Sequence, residues 1–279
     1  MKINFSKYFK ISNILSVIFF AVSILFILFK GLNYGIDFKG GTLFEIQTNK
    51  NISTLNIRDI LKNLQLGDVN VKNFGEKGNF LIKVEQTDNK QTIPLIKKNL
   101  LENLSDEVNF RRVEKVGPKV SSELLKSGII SICLALFAML FYIWIRFEWQ
   151  FSLGSIIALF HDVVITLGIF SLLSIEINLS IVAAVLTIVG YSMNDTVVIY
   201  DRIRENLSKY NRVNITEISD ISINETLSRT LITSVTTLLA LFSIFILGGE
   251  ILKGFSFAMI VGVFIGTYSS IFIASPVLK

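Results

Sequence analysis

The chain has 279 residues, 51% of them hydrophobic, a formal net charge of +5 and a mean hydropathy of +0.59. Apolar content this high, gathered into long runs, excludes an ordinary soluble domain and points to a membrane protein. The dispersed basic residues exclude nucleic acid as a partner, and one cysteine (Cys133, read as a small packing residue) with one histidine (His161) excludes an internal disulfide and a zinc site.

A membrane-spanning helix needs about 20 mostly apolar residues. Residues 1–30 read as a tail carrying Lys2, Lys7 and Lys10, followed by a first span at 11–29. The run is long and no small-residue cleavage site follows it, so it is expected to be a retained helix, not a signal peptide. Residues 31–126 are polar and read as a separate α+β domain. Strands are expected at 42–48, 69–74, 80–86 and 108–116, and helices at 53–66 and 92–104. That order, β-α-β-β-α-β, is the ferredoxin-like pattern. A short amphipathic helix at 118–126 leads into residues 127–279, which read as a bundle of five spans at 127–146, 149–175, 177–202, 229–249 and 254–278. The expected fold is therefore a six-span α-helical membrane protein with one small domain between spans one and two. The tail lysines, and Arg202, Arg204, Lys209, Arg212 and Arg229 between spans four and five, put both regions in the cytoplasm by the positive-inside rule. Both termini are then cytoplasmic and the domain lies outside.

Asp195 is the most informative residue. It lies in the fourth span, about 9 Å from the helix's inner end, too deep for a short side chain to reach water. A carboxylate there costs a few kcal/mol and by default marks a functional site with a partner to be named. Arg229 is the natural partner. Ser222 to Glu225 has the S-x-x-E spacing of a capping box, so the fifth helix is expected to start near Ile223, with Arg229 about two turns in. Spans four and five run antiparallel, so the two charges can meet at one depth if the helices are neighbours. Arg229 also suits a plain positive-inside role, bonding lipid phosphate. His161 and Asp162 sit mid-run in the third span, as a second proton-accepting site or as neutral hydrogen-bonded packing. Asn194 and Ser192 flank Asp195, and Arg202 continues its helix into the cytoplasm. Gly262 and Gly266 form a close-packing G-x-x-x-G.

Four segments together carry a resemblance: residues 32–41 (LNYGIDFKGG), 189–206 (VGYSMNDTVVIYDRIREN), 224–236 (NETLSRTLITSVT) and 255–277 (FSFAMIVGVFIGTYSSIFIASPV). With six spans and a domain after the first, the chain resembles the SecF family, of the SecD/SecF type within the resistance–nodulation–division superfamily. The resemblance implies a multi-pass protein of the bacterial inner membrane with its domain in the periplasm. It implies partnership with SecD and the SecYEG translocon, and the use of the proton-motive force to promote export of unfolded polypeptides. It implies no enzyme activity and no cofactor, with protons as coupling ion and lipids as surroundings. Asp195 matches the family aspartate of N-D-T and Arg229 the arginine of S-R-T, both as proton-pathway residues. Gly35, Asp37, Gly40 and Gly41 match its glycine motif, and the motion could pass through them as a hinge. Many relatives carry a longer basic tail beyond the position of Lys279.

Three rivals are weighed. A proton-driven small-molecule exporter of the same superfamily usually has twelve spans and two large domains. An intramembrane aspartyl protease needs Asp162 and Asp195 as a dyad, but its G-x-G-D signature is missing and a nearby arginine opposes the shared proton. A pure scaffold leaves Asp195 unexplained.

Overall fold

Among the described residues, six helices are long and apolar enough to cross a membrane: Phe5–Phe29, Pro118–Arg146, Trp149–Leu173, Leu179–Lys209, Ile215–Leu247 and Ile251–Val277. The structure, a computed structural model, describes residues 3–48, 52–62, 64, 66–75, 77–85, 92–104, 108–210 and 213–278. Lys2, Asn63, Gln65, Gln86 and Arg212, which entered the sequence reading, lie outside the described residues. In chain order the elements are α1 (Phe9–Phe29), β1 (Asn33–Tyr34), α2 (Ile36–Lys39), β2 (Gly41–Thr48), α3 (Thr54–Lys62), β3 (Val69–Asn73), β4 (Asn79–Val84), α4 (Thr92–Leu104), β5 (Val108–Val116), α5 (Pro118–Arg146), α6 (Trp149–Leu173), β6 (Glu176–Ile177), α7 (Leu179–Lys209), α8 (Ile215–Leu247) and α9 (Gly249–Ser269). They form two units, Tyr34–Gly128 and the remainder.

The smaller unit is built on a four-stranded sheet of order β3-β4-β2-β5, every neighbouring pair antiparallel. Strand alternation sends Phe44 and Ile46 of β2, and Phe80, Ile82 and Val84 of β4, to one face. There they meet Ile57 and Leu61 of α3 and Ile96 and Leu100 of α4 in a single core. The glycine motif enters this sheet: Gly35 caps α2, and Gly40 and Gly41 follow at φ +78 and +129. A Cβ on Gly41 would stand 2.7 Å from the Val84 carbonyl oxygen, so both backbone shape and space require glycine here. Lys83 of β4 is partly buried, and that burial lowers its pKa to about 8. Lys72 adds to the shift and Asp37 of the motif opposes it.

In the larger unit α6, α7 and α9 pack on one another, α1 lies against α6, and α8 lies against α7 and α9. Close approach is written into the glycines. A Cβ on Gly168 would fall 2.3 Å from Ser23 Cβ of α1, and one on Gly262 the same distance from Ile188 Cγ1 of α7. The G-x-x-x-G face therefore serves packing within this bundle. Before α1, a 3-10 turn at Phe5–Tyr8 is strapped to α8. Ser6 donates its backbone N–H and its hydroxyl to the Asp220 carboxylate at 2.8 and 2.5 Å.

Several boundaries differ from the sequence reading. The fifth span is the tail of a longer helix: α8 starts at Ile215, and Asn214 is its N-cap, accepting from the Thr216 N–H at 3.3 Å. Ser222 is thus mid-helix, and its hydroxyl accepts from Asn206 Nδ2 instead of capping. The segment looked like a polar connector, yet Ile218, Ser219, Ser222, Ile223 and Thr226 are buried at helical spacing. Likewise α7 continues to Lys209, and 118–126 joins the second span in one continuous α5. The last span is not one regular helix. After Ser269 it becomes a π turn (Ser270–Ala274) and a 3-10 turn, and the Tyr200 hydroxyl caps the Ala274 carbonyl at 3.0 Å. Cys133 is exposed on α5, so it is not a packing residue.

Candidate functional site

Asp195 occupies the middle of α7 and is 2% exposed. Its Oδ2 has no hydrogen-bond partner. Arg229 on α8 lies close enough for its charge to act on this carboxylate. The two make no ion pair among the described residues, and Arg229 itself is exposed. The register of the antiparallel pair α7–α8 follows from three bonds. Tyr191 Oη donates to Ser234 Oγ at 3.5 Å, Arg202 Nε to Glu225 Oε2 at 2.6 Å, and Asn206 Nδ2 to Ser222 Oγ at 3.0 Å. Interpolation puts Thr230 and Leu231 level with Asp195. Thr230 is also 2% exposed, and its hydroxyl also lacks a partner. Two buried, unsatisfied oxygens therefore share one level of the α7–α8 seam, with the guanidinium-bearing residue next in sequence. Buried polar groups are normally satisfied, and an exception calls for a functional account.

Asp162 is the opposite case. It is fully buried, and three helices satisfy it. His161 Nδ1 lies 3.0 Å from Oδ1, while Ser192 of α7 and Ser269 of α9 donate their hydroxyls to Oδ2 at 2.6 and 2.7 Å. The hydroxyl network continues. Thr196 Oγ1 and Ser270 Oγ lie 2.9 Å apart, and both reach the Ser192 carbonyl. His161 stacks parallel on Phe20 of α1, and its Nε2 is buried without a partner.

The remaining sequence candidates sit elsewhere. Arg202 holds the far end of α7 to α8 through Glu225 and bonds Glu205 at 2.5 Å, about two helical turns from Asp195. Asn194 faces outward, exposed. Gly35, Asp37, Gly40 and Gly41 lie in the smaller unit, where the chain passes through α2 into the inner strand β2. The sequence marks Ser192 only as a flank of Asp195 and does not reveal that it and Ser269 are the donors to Asp162. The small size of Ser192 opposite Gly266 of the G-x-x-x-G was the available signal: a Cβ on Gly266 would lie 2.9 Å from Ser192 Cβ.

Chemically, the arrangement holds two separate buried acids. A protease dyad needs carboxylates that share a proton. Here the Asp162 oxygens are taken by His161, Ser192 and Ser269, and Asp195 makes no bond to them. No group of acidic, histidine and cysteine side chains suited to a metal occurs among the described residues.

Comparison with known proteins agrees with this layout. The family described as protein export membrane protein SecD/SecF, C-terminal, matches residues 96–279, and the SecD/SecF GG motif matches residues 25–52. The protein translocase subunit SecF of Rickettsia rickettsii is 43% identical over 99% of this chain and 90% of its own length. That of Cereibacter sphaeroides is 41% identical over 94% of this chain and 84% of its own. The crystal structure of SecDF, a translocon-associated membrane protein from Thermus thermophilus, superposes with a TM-score of 0.90 at 34% identity. It covers 99% of this chain, which spans 38% of the SecDF polypeptide. None of these favours a small-molecule exporter. With matches of this length and identity across both units, the chain belongs to the SecF family of protein translocase subunits.

Proposed function

We propose that the chain is one half of a two-subunit, proton-driven export machine, in which Asp195 binds and releases the coupling proton and Arg229 is its counter-ion. The observation that carries this is a buried carboxylate with an unpartnered oxygen, in an apolar span, within the field of a single arginine. An ionised acid there is held against its desolvation by the guanidinium. Protonation removes that attraction and lets α7 move against α8. One charge crossing the membrane potential yields about 2.3 kcal/mol per 100 mV, so a few protons can drive a conformational cycle. Protons are the coupling ion, with no cofactor and no enzymatic step.

The missing half is a SecD subunit. The solved SecDF chain is more than twice as long as the part matched here, which supports such a partner. The complex acts with the SecYEG translocon on unfolded exported polypeptides. We place it in the bacterial inner membrane with Lys7, Lys10, Arg204 and Lys209 on the cytoplasmic side and residues 31–126 in the periplasm. The strand order and antiparallel pairing of that domain support a ferredoxin-like split β-α-β fold. Replacing Asp195 by Asn tests the reading: translocation into inverted membrane vesicles should lose its proton-motive-force-dependent component while the complex still assembles. A variant that keeps the full component overturns it.

A further inference from the structure

The hydrogen bonds around Asp162 describe more than packing. A carboxylate accepting from His161, Ser192 and Ser269 joins α6, α7 and α9 at one buried point. Its neighbour His161 is 6% exposed and has one nitrogen engaged and the other, Nε2, bare. Neutral imidazole with hydrogen on Nδ1 leaves Nε2 as an unused acceptor, and imidazolium leaves it as an unused donor. In either form the ring lacks one proton-exchange partner.

His161 lines two cavities between α1 and α6. One, of about 480 Å³, is also lined by Asn13, Ser16 and Val277. The other, of about 350 Å³, includes Ser16, Phe264 and Tyr268. His161 and Ser16 are common to both. Around the pair, α7 contributes Ser192 and, nearly a turn on, Asp195. From α9 come Ser269 and Tyr268, the latter bonded to Ser12 and Ser16 of α1. Among the described residues His161 is the basic side chain in contact with Asp162.

We propose that His161 and Asp162 form a second proton-binding site, distinct from Asp195, in which the proton enters at His161 Nε2 and Asp162 is the acceptor. The ring takes a proton at Nε2 and passes its Nδ1 proton to Asp162 Oδ1. The products are a neutral carboxylic acid and a neutral imidazole of the other tautomer. Ser192 and Ser269 then donate to an uncharged oxygen, and bonds to a charged acceptor are roughly twice as strong as neutral ones. Filling the site loosens α7, the helix that bears Asp195, from α6 and α9. The use of this proton in export rests on the proposed function; its binding does not.

Infrared difference spectra of the full chain in liposomes, taken between acid and alkaline pH, test the binding. Asp162→Asn should lose one protonated-carboxyl band and Asp195→Asn a different one. A spectrum unchanged by Asp162→Asn overturns the inference. A missing Asp195 band overturns the proposed function and leaves this site standing. His161→Gln guards against misfolding of Asp162→Asn, since it keeps an N–H for Oδ1 yet cannot relay a proton. In vesicles where the wild type responds to the proton-motive force, that response should fall more than tenfold, in line with the weight of positioned proton transfer. An undiminished response in His161→Gln overturns entry through the ring.

Discussion

Gly262 offers the sharpest stability prediction, because the space for a single added carbon is known. A Cβ there would meet Ile188 Cγ1, Cδ1 and Cγ2 at 2.3, 2.4 and 2.9 Å, where ordinary contact needs about 3.5 Å or more. Ile188 is 1% exposed and β-branched, so it has no alternative rotamer to retreat into. The strain must be relieved by parting α7 from α9 by about 1 Å, which forfeits contacts on both sides; overpacking of this kind costs about 1–3 kcal/mol. Gly190 is the control. It lies inside α7 with nothing within 4 Å of an added Cβ, so Gly190→Ala should gain up to about 1 kcal/mol from helix propensity alone. Both variants can be compared by reversible unfolding of the purified chain in mixed micelles. Opposite signs are expected. A Gly262→Ala chain as stable as wild type would refute the close α7–α9 crossing.

Three further outcomes follow from local chemistry. Lys83 titrates at about 8 when folded against 10.5 unfolded, so between those pH values the unfolded chain holds the extra proton. Stability of the smaller unit should rise from pH 8 to 10.5 and be flat below. After discounting for the solvent-facing part of the side chain, the gain is about 1 kcal/mol, and Lys83→Met should abolish the slope in thermal unfolding scans. Gly41→Ala forces φ +129 on an alanine and drives its Cβ into the Val84 carbonyl, so amide exchange across β2 and β4 should accelerate. Asn214→Ala removes the cap of α8 and should cost about 1 kcal/mol, with faster exchange confined to that helix's first turn.

Much of this architecture is legible in the sequence because hydropathy and alternation are local signals. The α4 limits, Thr92 and Leu104, and those of β5, Val108 and Val116, follow from periodicity alone. The start of α8 does not. Residues 215–228 are polar enough to pass for a loop, and a plausible S-x-x-E cap sat at the wrong place. What stabilises the helix is one buried stripe supplied by a partner 20 or so residues earlier, as the bonds from Asn206 and Arg202 record. The site divides the same way. Asp195 stands out by composition, since an acid in an apolar run is costly wherever the helix packs. The satisfaction of Asp162 depends on serines 30 and 107 positions away, a coincidence of tertiary packing that spacing does not encode. The direct Asp195–Arg229 ion pair suggested by matching depth is absent too: Asp195 is buried and Arg229 is exposed.

The central claim is that Asp195 changes its protonation state as the machine works. Carboxyl-region infrared spectra of the assembled complex, recorded with and without an imposed proton gradient, measure this directly. The account predicts a band that appears and disappears with the gradient in wild type, is missing in Asp195→Asn, and accompanies force-dependent translocation in the same vesicles. A wild-type complex that translocates under the gradient with no Asp195-dependent carboxyl signal would contradict it.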